Sequence, residues 1–300
     1  MGIDLYPLTL EPLMTEHSWG RGGEAPESDE NLPPGFSTGT LWMAGDHSRV
    51  SAGPLAGKSL SYVRQIWGPG LVGANAGGDP DSLLPVELKL KRTGDSALAL
   101  ALDDDSLWYV LAAEEDSSLN AGYRPGLDFE AAARAAGGDP GRWSEFMPEY
   151  SAEPGQALFL PLGAAMILGA GLTMAQIGPP SQNLKPWPLG GRGPEALRLA
   201  RQVEAPVWLD RGASGPGLSE IYNDERLTVT LVNTTHLSTV ASPDAATFIW
   251  PLFGQGRIRA RGPAPVTRLV PGRAVMVPAG LGRYAVESGG SVGYLLIEAY

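Results

Sequence analysis

Residues 96–109 read SALALALDDDSLWY. Leu98, Leu100 and Leu102 fall on one parity and Ala97, Ala99 and Ala101 on the other, the period-two pattern of a β-strand. Both parities are apolar, one bulky and one small, which predicts a strand covered on both sides, as in a barrel wall or a packed sandwich. The acidic run Asp103-Asp104-Asp105 ends it, and Ser106 to Leu111 starts a second strand, so the pair reads as a hairpin with a solvated acidic tip.

Upstream, LPVELKL (84–90) alternates Val86, Leu88 and Leu90 against Glu87, Lys89 and Lys91, and residues 38–44, TGTLWMA, read as a shorter strand. Residues 1–36 read as an ordered arm followed by a loop. A helix is expected from about Ser59, with Ser59 as N-cap and Leu60, Val63, Ile66 and Trp67 at helical spacing. Downstream, FEAAARAA (129–136) predicts a short helix stopped by Gly137-Gly138. QALFLPLGAAMILGAGLTMA (156–175), broken by Pro161, Gly163, Gly169 and Gly171, predicts two strands joined by a tight turn. GPEALRLARQ (193–202) predicts another helix. Seven short strands follow, at 227–233, 247–252, 256–260, 266–270, 273–278, 283–287 and 291–298. The halves share a pattern, PGQALFLPLG and PGRAVMVPAG, in which a Pro-Gly turn leads an apolar strand into Pro and Gly. A cupin barrel writes its middle strands this way, so two copies suggest two cupins. The expected fold is mainly β: a bicupin of two jelly-roll barrels with a few short helices, split into 1–205 and 206–300.

Composition narrows the function classes. A net charge of −11 argues against nucleic acid and anionic membranes as partners. The chain has no cysteine, hence no disulfide framework, thiolate nucleophile or Cys-ligated zinc. No apolar run reaches membrane-spanning length and MGIDLYPLTL lacks a basic leader, so a cytoplasmic protein is expected. GPLAGKS (53–59) fails the phosphate-loop spacing, because the required first glycine falls on Ala52; a turn capping a helix is the reading. His17, His47 and His236 lie far apart on turn-like segments, and Asp46-His47 is a thin basis for a metal site.

Placed in order, several of these segments resemble the type I mannose-6-phosphate isomerase family, cupin proteins that interconvert mannose 6-phosphate and fructose 6-phosphate with zinc. The similar residues are Trp19-Gly20, Trp42 followed by SAGPLAGKSL (51–60), Leu71-Val72-Gly73, Leu84-Pro85 with Lys89, Trp108-Tyr109, Pro154-Gly155 through Pro161 and Gly163, and Val277-Pro278-Ala279 with Tyr284. The resemblance implies a zinc site built from Gln and His two apart on one strand, Glu on the next, and a later His. Here those positions read Leu100, Leu102, Ser106 and Met166, none of them a zinc ligand. The family's catalytic arginine segment falls near Lys185, and Lys89 is the catalytic-type residue that survives.

The resulting expectation is a pseudoenzyme of carbohydrate metabolism with no zinc or other cofactor, binding a sugar or sugar phosphate through Glu87, Lys89, Trp108 and Lys185. Against this stand a Lys89 paired with Glu87 or Asp95 as ordinary strand chemistry, and Trp42, Trp67 and Trp108 as core aromatics. The alternatives are an active isomerase rebuilt around Lys89, Lys185 and Glu87, and a structural or assembly protein. The sequence sets no oligomeric state.

Overall fold

Four antiparallel sheets account for the architecture. It was obtained as a computed structural model that describes residues 4–15, 39–73, 83–95, 98–101, 105–136, 140–162, 164–180, 206–209, 216–235, 238–241, 245–262 and 264–300. The first seven-stranded sheet runs, in spatial order, Val207–Leu209, Ala157–Leu160, Ser106–Ala113, Leu172–Gly178, Glu87–Arg92, Gly39–Ala44 and Leu13–Thr15. A four-stranded sheet of Leu98–Ala101, Ala165–Leu168, Ser118–Ala121 and Glu149–Ser151 faces it. The second seven-stranded sheet runs Gly217–Asn223, Leu227–Thr234, Val292–Ala299, Ala246–Phe253, Val275–Val277, Leu8–Glu11 and Arg49–Val50. Its smaller partner holds Ser238–Ala241, Arg283–Ser288, Gly256–Ala260 and Thr267–Leu269. The mainly β fold expected from the sequence is the one observed, with each large sheet opposed by a small one.

Alternation decides which side chains fill which layer. Leu88, Leu90, Tyr109 and Ile177 of the first large sheet pack against Val229, Phe248, Met276 and Leu295 of the second, so the two sandwiches share one core back to back. The opposite parity fills each sandwich: Trp108, Leu158 and Met174 meet Leu119, Met166 and Leu168 in the first. Ile249, Val275 and Tyr294 meet Ile258, Leu269 and Val286 in the second. Ala165 and Ile167 turn outward onto Ala132 of helix Phe129–Ala136, together with Trp143 and Met147. Strand Ala165–Leu168 is thus covered on both faces.

Two readings are corrected. Leu98–Ala101 and Ser106–Ala113 are not a hairpin: the first pairs with Ala165–Leu168 and the second with Ala157–Leu160 and Leu172–Gly178, in the facing sheet. Apolar content on both strands is equally compatible with pairing and with facing, so the alternation did not separate the two. The 156–175 run holds three strands rather than two, Ala157–Leu160, Ala165–Leu168 and the start of Leu172–Gly178. The break between the last two is made by glycine: Gly171 holds a φ of 71°, and a Cβ on Gly169 would strike the Ser118 carbonyl oxygen. Asp103 and Asp104 lie outside the described residues. Asp105 is no free tip: its carboxylate accepts from the Leu162 N–H at 2.7 Å and pairs with Arg226 at 3.0 Å, tying the two halves together.

The helix near 59 forms over Leu60–Trp67, with the Ser59 hydroxyl accepting from the Tyr62 N–H at 3.3 Å. The helix expected at 193–202 lies outside the described residues. The GPLAGKS segment is a turn, as read. Its Gly53 has a φ of 85°, and a Cβ there would stand 2.7 Å from the Tyr6 ring, whose hydroxyl accepts from the Leu55 N–H at 2.8 Å. Gly53→Ala should therefore cost ~1–3 kcal/mol in a urea unfolding curve, from backbone strain and displacement of Tyr6. Among the described residues no helix is long and apolar enough to cross a membrane.

Candidate functional site

Strand Glu87–Arg92 packs Leu88 and Leu90 into the core shared by the two large sheets. The other parity, Glu87, Lys89 and Lys91, must then face the first small sheet, and all three side chains are buried there. Register extends this into a row across the sheet. Trp42 lies beside Lys89, Lys89 beside Gln176, and Gln176 beside Trp108. Thr40, Lys91 and Met174 form the next row.

The geometry is that of a charged interior. Lys89 Nζ lies 2.8 Å from Glu87 Oε2, and the two side chains are only 3% and 11% exposed. The same ammonium sits 3.9 Å from the centroid of the Trp42 ring, a cation–π contact. Lys91 Nζ donates to Thr40 Oγ1 at 3.2 Å. Burial, and secondarily the charge on Lys89, lower the Lys91 amine from 10.5 to about 7. The Gln176 Oε1 is buried with no hydrogen-bond partner among the described residues. A paired ammonium on an aromatic face, a second amine near its neutral form and an unsatisfied amide oxygen suit a ligand rich in hydroxyls or carrying a phosphate.

The structure brings Glu87 and Lys89 together as the sequence suggested and places Trp108 on the same face. Trp108 is fully buried in the apolar filling, and its Nε1 donates to Ser106 Oγ at 2.8 Å. Trp67 meets Tyr6 edge-on at 5.6 Å between centroids. Lys185, His17 and His236 lie outside the described residues. His47 is exposed, and the Asp46 carboxylate accepts from the Leu83 and Leu84 N–H groups rather than offering itself to a metal. Lys91, Thr40 and Gln176 were not singled out from the sequence. Lys91 shares the parity of Glu87 and Lys89, and Gln176 is a lone polar residue in an apolar strand, and those were the available signals.

Of the four positions where the family resemblance puts zinc ligands, Leu102 lies outside the described residues. Leu100 occupies the register position opposite Met166. Met166 is fully buried among Leu119, Leu158 and Leu168. Ser106 is buried with its hydroxyl on the Trp108 indole. Among the described residues no three of His, Asp or Glu gather in a way that could hold a metal ion. A thioether in a hydrocarbon cluster and a hydroxyl already bonded to an indole do not fit zinc, which takes imidazole, carboxylate or thiolate.

No protein-family model and no curated protein sequence matches the chain. Solved structures do. Mannose 6-phosphate isomerase from Bacillus subtilis superposes with a TM-score of 0.75 at 18% identity, covering 98% of this chain and 99% of that one. An Archaeoglobus fulgidus protein provisionally described as a mannosephosphate isomerase gives 0.75 at 14% identity over the full length of both chains. The apo form of the Salmonella typhimurium enzyme gives 0.68 at 11% identity, with 98% and 99% covered. At these identities the likeness establishes the fold, end to end, and leaves the chemistry to the residues.

Proposed function

We propose that this chain is a zinc-free relative of the mannose-6-phosphate isomerases that binds a sugar phosphate without isomerising it. The observation that carries the proposal is the buried Glu87–Lys89 pair under Trp42, inside a sandwich where the positions of the family's metal ligands include Met166 and Ser106. Lys89, held by Glu87, faces the ligand's phosphate or hydroxyl oxygens. Trp42 supplies an apolar face, and the Gln176 carbonyl oxygen accepts from a sugar hydroxyl. Trp108 and Met166 close the interior with hydrocarbon where the family reaction requires a Lewis acid.

A thermal-shift titration with mannose 6-phosphate tests this. At a hundred times the dissociation constant the ligand adds ~2.7 kcal/mol of stability. The upward shift should vanish in Lys89→Met/Glu87→Gln, a charge-neutral pair change that leaves no buried ion alone. Metal analysis of the purified protein should find far less than one zinc per chain; a full equivalent would defeat the zinc-free reading.

One observation favours a second reading, a metal-free isomerase. The Lys91 amine, with its pKa near 7, is suited to take the proton from the carbon beside a carbonyl and return it to the neighbouring carbon, with the Lys89 ammonium facing the enediolate oxygen. Glu87, and Lys185 of the sequence-based alternative, would complete such a site. Coupled-assay turnover of ~1–10³ per second without added zinc would select it over the binding protein.

A further inference from the structure

A cavity of about 430 Å³ opens where the N-terminal segment crosses the second sandwich. Tyr6, Thr9, Gly53, Thr267, Arg268 and Arg273 are among the residues lining it. Its walls are held from both ends of the chain. The Thr267 hydroxyl donates to the Pro7 carbonyl at 2.9 Å, across 260 residues of sequence. Strand Leu8–Glu11 is sewn between Val275–Val277 and Arg49–Val50. Gly53 is pressed against Tyr6, and a side chain there would have to displace the ring. A preformed wall loses little order when a ligand arrives.

The charge at this cavity runs against the rest of the molecule. The chain carries a net charge of −11. Arg226, Arg257 and Arg259 each lie on a carboxylate of the fold. Arg268 and Arg273 are exposed at the cavity, and among the described residues neither makes an ion pair; Arg273 reaches only the Ser51 hydroxyl, at 3.4 Å. Two arginines lining one small cavity, each with a planar guanidinium, match a dianionic, multi-oxygen group, and the volume suits a small metabolite.

We propose that this cavity is a second ligand site, taking a small phosphate-bearing molecule whose phosphate is gripped by Arg268 and Arg273. Occupancy would bridge the N-terminal segment and the second sandwich, so binding here stabilises the junction between the two ends of the chain. The site is independent of the Glu87–Lys89 cluster, which lies inside the first sandwich.

The test is a calorimetric titration with inorganic phosphate on the full chain, its Arg268→Gln/Arg273→Gln variant, Lys89→Met/Glu87→Gln, and the two combined. Both arginines are exposed, so the double variant should keep the parent circular dichroism and melting temperature. Lys89→Met/Glu87→Gln, which removes any phosphate held in the first sandwich, should retain one saturable phosphate site, and adding Arg268→Gln/Arg273→Gln to it should weaken that site at least ~10-fold. Equal binding with and without the arginine changes, or no saturable binding by the parent at ~10 mM, would overturn the site. Binding lost only in Lys89→Met/Glu87→Gln would place the phosphate in the first sandwich and likewise refute this assignment.

Discussion

Lys91→Met should make the protein more stable by ~3 kcal/mol at pH 7, against the usual direction of mutational change. Lys91 is buried, its amine donates to the Thr40 hydroxyl at 3.2 Å, and its pKa falls from 10.5 to about 7 in the folded chain. Between those two values the unfolded chain holds a proton that the folded chain has released, so the stability of the parent rises with pH across that window. The penalty for burying the amine is complete below about pH 7 and gone above 10.5. Methionine carries no such penalty. The stability gap between variant and parent should therefore be constant below pH 7 and close as pH climbs toward 10.5, as urea titrations at several pH values would register. The full shift would imply ~5 kcal/mol; loss of the hydrogen bond to Thr40 reduces it. A parent that is no less stable than the variant at pH 7 would mean that the Lys91 ammonium is solvated, and that the interior row is wetter than its burial indicates. A destabilising amine held in a sandwich interior is what a binding site retains at the expense of stability. The same variant should accordingly weaken the thermal shift given by mannose 6-phosphate.

Trp108→Ala should cost ~3–5 kcal/mol, the range for removing a large side chain from a packed core. Trp108 is fully buried between the two sheets of the first sandwich, against residues such as Val110, Leu158 and Met174. Its indole N–H also satisfies the buried Ser106 hydroxyl. Ser106→Ala, which removes only that bond, should cost ~1 kcal/mol, so the difference between the two variants measures packing. The comparison bears on function as well as stability. If the first sandwich had kept an open ligand chamber at the family's metal position, truncating Trp108 would enlarge a space already present and cost little. A loss below ~1 kcal/mol would point to that chamber and away from a hydrocarbon-filled interior.

Much of the fold was legible because strand patterning is local. The parity of LPVELKL, the N-cap at Ser59 and the turn at GPLAGKS are all set by neighbours within a few residues, and each stands in the structure as the residues suggested. The strands at 217–223 and 238–241 were not anticipated. In the first, the observed burial is mostly exposed or partial, so its residues carry little of the apolar alternation that announces a strand. The hairpin at Asp103–Asp105 was misread for a different reason. Adjacent strands usually pair, whereas here the chain crosses from the small sheet to the large one, and Asp105 is engaged by Arg226, 121 residues away.

The candidate site divides along the same line. From its own residues the sequence determined that Glu87, Lys89 and Lys91 share one face of a strand, and that Met166 and Ser106 offer no imidazole or carboxylate. Side-chain parity and donor chemistry need no partner to be read. Only the tertiary structure decided that this charged face is the inward one. An alternating strand looks the same whether its polar parity meets water or a second sheet, and the choice falls to where Leu88 and Leu90 find their apolar neighbours. They find them in the other large sheet, so the carboxylate and both amines are turned into the first sandwich, where burial sets their chemistry.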